Sequence, residues 1–407
     1  MKLKSIFAPC NLYLFCWILY VQQGLLYRSG SIISRSLLLI LLIISIINVY
    51  KVIKHFQLPI FFKGLNILLI MFTVYGAFFW LFNPGGVIAG DTSLSGYEYL
   101  KRIYMSLLPI YSIYLYTQTG ALKIKNLRIW IVIFIFSAYG EYLIGVQNNL
   151  NYLMEMGSSR TEFTNNTGYL FLCLIPALYV FQEKPYYQYI GLAVLIFFTI
   201  ASMKRGAILG VVIVATIFIF KGMKTASNTK KILFALLSCA VIFFVANYVK
   251  DMMTNSDYFM ARLNRTLEGD SSGRDKYYKD ILNAFINETN LLYIMFGRGA
   301  YGSVSIIGNL AHNDWLEILI GQGLFGIGVF LYFAVCFYKS FNKLNRNSPI
   351  YMMLLLSFII FYYKTCITMS YDDMPIYLST IVGYALSVSF TGNYNNSTQY
   401  DTNKRRS

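Results

Sequence analysis

Apolar runs long enough to cross a lipid bilayer, about 20 residues each, recur along nearly the whole chain. Of its 407 residues, 57% are hydrophobic and only 13% are charged, whereas soluble domains carry about 25% charged residues. A soluble fold would need buried helices along its whole length, with little polar surface to cover them. The sequence therefore predicts an all-α, polytopic integral membrane protein, with the lipid bilayer as its first partner.

About twelve transmembrane helices are predicted from these runs. The expected spans lie near 10–26, 36–50, 64–82, 103–119, 129–146, 168–182, 188–202, 206–220, 232–249, 315–338, 350–369 and 375–390.

The distribution of basic residues predicts the orientation of these spans. The N-terminus and the even-numbered connections hold most of the 34 Lys and Arg residues, and cytoplasmic loops are the ones enriched in them. Both termini are therefore expected in the cytoplasm. The predicted organisation is helices 1 to 9 over 1–249, a large external loop over 250–314, helices 10 to 12 over 315–390 and a cytoplasmic tail over 391–407. This topology explains the net charge of +16, which therefore implies no nucleic-acid partner.

The external loop is the only sizeable polar segment, and it is expected to contain short amphipathic helices. Apolar residues recur at helical spacing over 275–285 (DKYYKDILNAF), which predicts a helix at the membrane surface. Ser271, Ser272 and Gly273 precede it and offer capping chemistry, so Arg274 is expected at the helix start. A guanidinium beside backbone N–H groups is a good ligand for phosphate oxygens. The alternative is an arginine that reaches towards lipid headgroups or caps a turn.

Two patterns suggest ligands that the rest of the sequence does not support. Residues 297–302 (GRGAYG) match G-x-G-x-x-G, but that motif indicates a dinucleotide site only between a strand and a helix, so we interpret it as a turn. The six cysteines lie in apolar spans without metal-ligand spacing, and the chain has only two histidines. We therefore predict no metal site and no cofactor.

A histidine and several arginines are the candidates for chemistry at the outer face. His312 precedes a long apolar helix and could act as a general base, or it could be an interfacial histidine whose ring tip lies among headgroups. Arg205 follows Lys204 in a short external turn, where a basic residue is costly unless it faces a cavity or an anion; snorkelling is the alternative. Arg160 is a third candidate for anion contact, or an ordinary loop arginine.

These residues, in this order, resemble the O-antigen ligase/polymerase family of bacterial membrane glycosyltransferases. The likeness is carried by ASMKRGAILG around Arg205, SSGRDKYY around Arg274, and G-R-G followed by H-N-D-W-L-E and G-Q-G-L-F-G-I-G. The resemblance implies a GT-C-like, metal-independent enzyme of the bacterial inner membrane, with its active site on the periplasmic face. It also implies undecaprenyl-pyrophosphate-linked oligosaccharides as donor and acceptor.

By position, the resemblance implies that Arg205 and Arg274 bind the donor pyrophosphate and stabilise it as it leaves. It implies that His312 orients or deprotonates the acceptor hydroxyl. The further candidate substrate-binding residues are Arg160, Arg298, Asn313 and Asp314. A polymerase extends the glycan on the next lipid-linked repeat unit, whereas a ligase transfers it to lipid A–core. The H-N-D-W-L-E form and the composition favour the polymerase, for which a chain-length regulator is a candidate partner. A polysaccharide flippase is the alternative from another class, but it has no need of a large external loop ending in a histidine.

Overall fold

The computed structural model describes residues 9–28, 30–90, 92–155, 165–225, 274–368 and 375–391, with five isolated positions between 243 and 264. These residues are almost entirely helical. In chain order the helices are α1 (Pro9–Val21), α2 (Ile32–His55), α3 (Ile60–Phe82), α4 (Gly96–Gln118), α5 (Ile124–Glu155), α6 (Gly168–Leu174), α7 (Pro185–Ala201), α8 (Arg205–Thr225), α9 (Arg274–Ile286), α10 (Leu291–Phe296), α11 (Val304–Ile307), α12 (Asp314–Phe341), α13 (Pro349–Ile367) and α14 (Ile376–Thr391). A 3₁₀ segment, Ile175–Phe181, continues α6.

Five of the described helices are long and apolar enough to cross a membrane: α2, α3, α5, α12 and α13. Shorter apolar helices are α1, α6 with its 3₁₀ extension, α7 and α14. The chain is therefore an all-α, multi-pass membrane protein at this level of detail. Helices lie at the predicted spans throughout the described ranges, while the predicted span 232–249 lies outside those ranges except for two isolated positions.

A small antiparallel hairpin between α3 and α4 is the exception to the all-α prediction. Strand β1 (Val87–Ala89) pairs with β2 (Thr92–Leu94). The backbone N–H of Gly90, which follows β1, donates to the carbonyl of Gly308 at 3.0 Å. The hairpin therefore contacts the segment that leads to His312.

The chain divides into two compact units, and the first comprises Met1–Ile43, Thr119–Asp270 and Arg346–Ile360. Within it α1 packs on α5, and α6 packs on α5, α7 and α8. Two buried interhelical hydrogen bonds link α1 and its C-terminal turn to α5: Trp130 Nε1 donates to Asn11 Oδ1 at 2.9 Å, and Gln22 Nε2 donates to the Ser137 carbonyl at 2.8 Å. Such bonds satisfy polar side chains that would otherwise face hydrocarbon.

The second unit comprises Ile44–Gln118, Ser271–Asn345 and Phe361–Ser407. Helix α3 packs between α4 and α12, and α4 also packs along α14. Aromatic rings fill the α3–α12 contact, where the Phe61 ring lies 5.4 Å from that of Phe333 and 4.9 Å from that of Phe337. Gly64 completes the contact, because a Cβ there would lie 3.1 Å from the Phe333 Cα and still closer to the Cys336 side chain.

We expect Gly64→Leu to destabilise unit 2 by about 1–3 kcal/mol, because the added atoms have no space between α3 and α12. Gly328→Leu is the matched control on α12, since a Cβ at that position meets nothing within 4 Å. Thermal unfolding of the two purified variants in the same detergent measures the difference. Equal melting temperatures would contradict the tight α3–α12 contact.

Candidate active site

Three side chains from other segments of unit 2 donate hydrogen bonds to the C-terminal end of α13. Trp315 Nε1 donates to Thr365 Oγ1 at 3.2 Å. Asn313 Nδ2 donates to the Cys366 carbonyl at 2.9 Å, and a guanidinium nitrogen of Arg274 donates to the Ile367 carbonyl at 2.8 Å. Carbonyl groups in the last turn of a helix lack intrahelical partners, so this end of α13 is a natural acceptor for donors from elsewhere.

Arg274 lies at the beginning of the described part of α9, which continues to Ile286. The capping residues predicted at 271–273 lie outside the described residues. The bond to Ile367 uses one of the five N–H donors of the guanidinium. Because the acceptor is a neutral carbonyl at a helix C-terminus, which favours cations, the bond orients Arg274 without cancelling its charge.

The apolar face of α9 packs on protein. Ile281 is fully buried with Ala311 and Ile320, and Phe285 and Leu316 pack around this small core. The amphipathic pattern predicted from the sequence is therefore present. The core attaches α9, and with it Arg274, to the segment that carries His312.

His312 has a left-handed backbone conformation with φ +52°, which residues other than glycine rarely adopt. It is partly exposed and lies between buried Ala311 and Asn313, the N-cap of α12. A residue keeps such a conformation when its neighbours are fixed. The backbone on both sides of His312 is fixed by hydrogen bonds.

Asn313 makes the hydrogen bonds on one side of His312. Its Oδ1 accepts from the N–H groups of Trp315 and Leu316, at 3.0 and 3.2 Å, which is the usual way to cap a helix. Its Nδ2 binds the Cys366 carbonyl. Both ends of this amide are therefore engaged within the protein, which gives Asn313 a positioning role beside the substrate contact predicted for it.

Glu317 makes the hydrogen bond on the other side, and the sequence did not single it out as a site residue. Its side chain is buried in the first turns of α12, and Oε2 accepts from the Ala311 N–H at 3.1 Å. Asp314, a predicted substrate-binding residue, is also fully buried in that turn. Carboxylates are favoured at a helix N-terminus. The two acidic residues of N-D-W-L-E were therefore the sequence feature that could have predicted a structural role for Glu317 at the start of α12.

Arg298 lies in the same unit and is held by an ion pair. Its guanidinium contacts Glu288 at 2.6 Å and lies 5.4 Å from the centre of the Tyr293 ring. The N–H of Asn290, and then the guanidinium of Arg298, hold the pKa of the Glu288 carboxyl below its ordinary value. The predicted substrate-binding residue Arg298 thus has its charge balanced by Glu288.

The G-x-G-x-x-G segment packs against α12 through backbone hydrogen bonds. The N–H groups of Arg298 and Gly299 donate to the carbonyls of Ile320 and Gly321, both at 2.8 Å. Residue Gly323 interrupts α12 there with φ +65° and ψ −160°. A Cβ on Gly297 would collide with the Gly321 backbone. The segment follows a short helix rather than the strand that precedes this motif in a dinucleotide-binding unit.

Arg205 lies in unit 1, where it is the first residue of α8. The turn before it is fixed at Ser202, whose carbonyl accepts from the Asn165 N–H at 2.8 Å, and at Met203, which has φ +51°. Arg205 therefore begins a helix after a tight turn, as its sequence position suggested. The remaining predicted residue, Arg160, lies outside the described residues.

Metal ligands do not gather anywhere in the part of the chain that the structure describes. No group of three or more His, Cys, Asp or Glu side chains there could hold a metal ion.

Comparison with known protein families gives a match over part of the chain. Residues 190–331 match a family model described as O-antigen ligase. The matched segment includes Arg205, Arg274, Arg298 and His312. A search of curated proteins found no match.

We expect Glu317→Met to release the backbone beside His312, because the Ala311 N–H loses its acceptor. Hydrogen exchange of the peptide covering residues 308–313 should accelerate about tenfold to a hundredfold, as expected when 1–3 kcal/mol of local protection is lost. Glu317→Gln keeps an acceptor oxygen at this position and should exchange nearly as slowly as the parent. Unchanged exchange in Glu317→Met would contradict the assigned contact.

Proposed function

Because the match at 190–331 supports assigning the chain to the O-antigen ligase/polymerase family, we propose that it is a surface-polysaccharide polymerase. It transfers a growing glycan from undecaprenyl pyrophosphate to the next lipid-linked repeat unit. The observation that carries this proposal is the set of contacts at the end of α13, where Arg274 and the residue next to His312 bind consecutive carbonyls.

We propose that the protein lies in the bacterial inner membrane with twelve spans, a GT-C-like arrangement and both termini in the cytoplasm. Support comes from the five long apolar helices and the shorter ones beside them, and from the Lys and Arg excess in alternate connections. The active site then faces the periplasm, where lipid-linked donor and acceptor share one membrane layer. Confinement to one layer supplies the proximity that a reaction between two large substrates needs.

His312 is proposed to act on the acceptor. A sugar hydroxyl is a weak acid, so it needs a positioned base as it attacks the anomeric carbon of the donor. The imidazole takes the hydroxyl proton while the new glycosidic C–O bond forms. Asn313 and Glu317 hold the backbone that carries the imidazole, which limits the orientations it samples.

Arg274 and Arg205 are proposed to act on the donor. As the bond between the anomeric carbon and the pyrophosphate oxygen breaks, negative charge develops on the leaving undecaprenyl pyrophosphate. Fixed guanidinium groups stabilise that charge and can do so without a metal ion. Arg274 is suited to this role because its hydrogen bond to Ile367 is made to a neutral carbonyl, which orients the guanidinium without neutralising it.

The other predicted binding residues receive different weights. Arg160 remains a candidate for substrate contact. Arg298 is already paired with Glu288, Asn313 is engaged through both ends of its amide, and Asp314 is fully buried. The proposed partners are the undecaprenyl-pyrophosphate-linked donor and acceptor and the bilayer, with a chain-length regulator as a further candidate.

A ligase is the second candidate function, because the matching family model is described as O-antigen ligase. Ligase and polymerase share the donor and the same leaving group. They differ in the acceptor, which is lipid A–core for the ligase. The H-N-D-W-L-E form of the histidine segment and the composition of the chain favour the polymerase.

Deleting the gene is expected to leave lipid A–core carrying a single repeat unit, because ligation continues while chain extension stops. Loss of a ligase would instead leave core with no repeat unit. A banding gel of the surface polysaccharide separates these outcomes. Long chains that survive deletion would exclude the polymerase.

Purified full-length protein in nanodiscs, supplied with undecaprenyl-pyrophosphate-linked repeat units, tests the assigned residues. His312→Asn should lower the extension rate about 10²–10⁴-fold, since the base is lost while asparagine tolerates a left-handed backbone. Arg205→Ala and Arg274→Ala should each lower it about 10²–10³-fold. Lys279→Ala, which removes an exposed charge from the same helix as Arg274, is the matched control.

Full activity of His312→Asn would remove the histidine from the mechanism. Equal losses in Lys279→Ala and Arg274→Ala would show that general charge on α9, rather than a defined contact, matters. A chelator added to the parent protein should leave the rate unchanged if the reaction needs no metal.

A further inference from the structure

Helix α10 exposes an unusually apolar surface for part of a predicted external loop. Its sequence is LLYIMF, and Leu291 and Leu292 are 68% and 66% exposed. The helix packs against α12 on its other side. Water would have to cover these leucines if α10 lay outside the membrane, which is unfavourable for large aliphatic side chains.

Contacts with two membrane-spanning helices give the depth of α10. The Tyr75 hydroxyl of α3 donates to the Phe296 carbonyl at 2.6 Å. Gly297 lies against Gly321 of α12, and the rings of Phe296 and Phe325 are 5.9 Å apart. Tyr75 lies about two helical turns before the end of α3. Gly321 lies about two helical turns after the start of α12. The end of α10 therefore lies about 10 Å along both helices from their ends.

The lipid-facing surface extends beyond this depth. On α3, Phe78, Leu81 and Phe82 are all exposed, and Phe82 is 76% exposed at the last residue of the helix. On α12, Leu324 and Phe325 are exposed beside α10. Hydrocarbon that covers Leu81 and Phe82 must also cover side chains that lie nearer the middle of the helices.

We propose that residues 288–302 form a re-entrant loop, and that α10 lies within the hydrocarbon layer with Leu291 and Leu292 against lipid acyl chains. The segment enters the bilayer beside α3 and α12 and returns to the same side before α11. Part of the loop that the sequence assigned to the external space is thereby a membrane element. The inference does not depend on the proposed enzymatic activity.

The backbone of this loop meets the condition for lying inside a membrane. Irregular backbone is tolerated at membrane depth where its polar groups have protein partners. The N–H groups of Arg298 and Gly299 bind the carbonyls of α12 beside Gly323, and the Phe296 carbonyl binds Tyr75. The Gly297 N–H donates to the Tyr293 carbonyl at 2.9 Å.

The two legs of the loop are joined by the Glu288–Arg298 ion pair, one residue on each side of α10. A charge near hydrocarbon is costly unless it is paired or reaches the interface. Asn290 caps the helix between them by accepting from the Leu292 N–H at 3.0 Å. The two charged side chains thus flank the apolar helix and neutralise each other.

Fluorescence quenching tests this depth in full-length protein reconstituted in nanodiscs. A dansyl amino acid introduced by stop-codon suppression at Leu292 should be quenched by nitroxide-labelled phospholipids and shielded from aqueous iodide. The same fluorophore at exposed Lys279 of α9 is the control and should show the opposite pattern. Position Leu291 provides a second labelling site if the first variant does not fold.

Nitroxide quenching at Leu292, or at Leu291 if the Leu292 variant does not fold, with iodide quenching at least about fivefold weaker than at Lys279, would support the re-entrant loop. Iodide quenching equal to that at Lys279 would overturn it, since α10 would then face water. Neither result depends on the polysaccharide assays, so the re-entrant loop can be tested even if the proposed function is wrong.

Discussion

Backbone carbonyls without helical partners are the constraint on which the described site depends. Such groups occur at helix ends and breaks, and in an apolar environment each needs a donor from elsewhere in the protein. At the end of α13 the donors are Arg274 and Asn313. Beside the break at Gly323 they are the N–H groups of Arg298 and Gly299. The first set orients the candidate catalytic groups, and the second holds the loop that precedes them.

The two arginines of this region show how a partner decides what a guanidinium can do. Arg298 faces a carboxylate, so the pair has little net charge to offer an anion. Arg274 faces a carbonyl, which aligns the side chain but leaves its positive charge in place. Arg298, a predicted substrate-binding residue, is therefore tied to Glu288, whereas Arg274 remains the candidate for the donor pyrophosphate that the resemblance gave it.

Hydropathy and periodicity were sufficient to predict that the described spans and the segment 275–285 are helical, because both patterns depend on which side chains avoid water. The acceptors of the site could not be predicted in this way. Thr365, Cys366 and Ile367 contribute mostly backbone carbonyls, which every residue has and no motif marks. The role of Glu317 depends on an N–H group that comes close only when the chain turns back at His312. The β1–β2 hairpin and the break at Gly323 likewise follow from packing between distant segments.

The interruption at Gly323 divides α12 into two segments that are held by different contacts. The part that begins at Asp314 is bonded to the loop and to the end of α13, whereas the later part is packed by aromatic rings on α3. A continuous helix would transmit any tilt of its first turn along its whole length. The break at Gly323 interrupts that path, so the hydrogen bonds that fix the backbone beside His312 are separated from the aromatic packing that holds the membrane bundle.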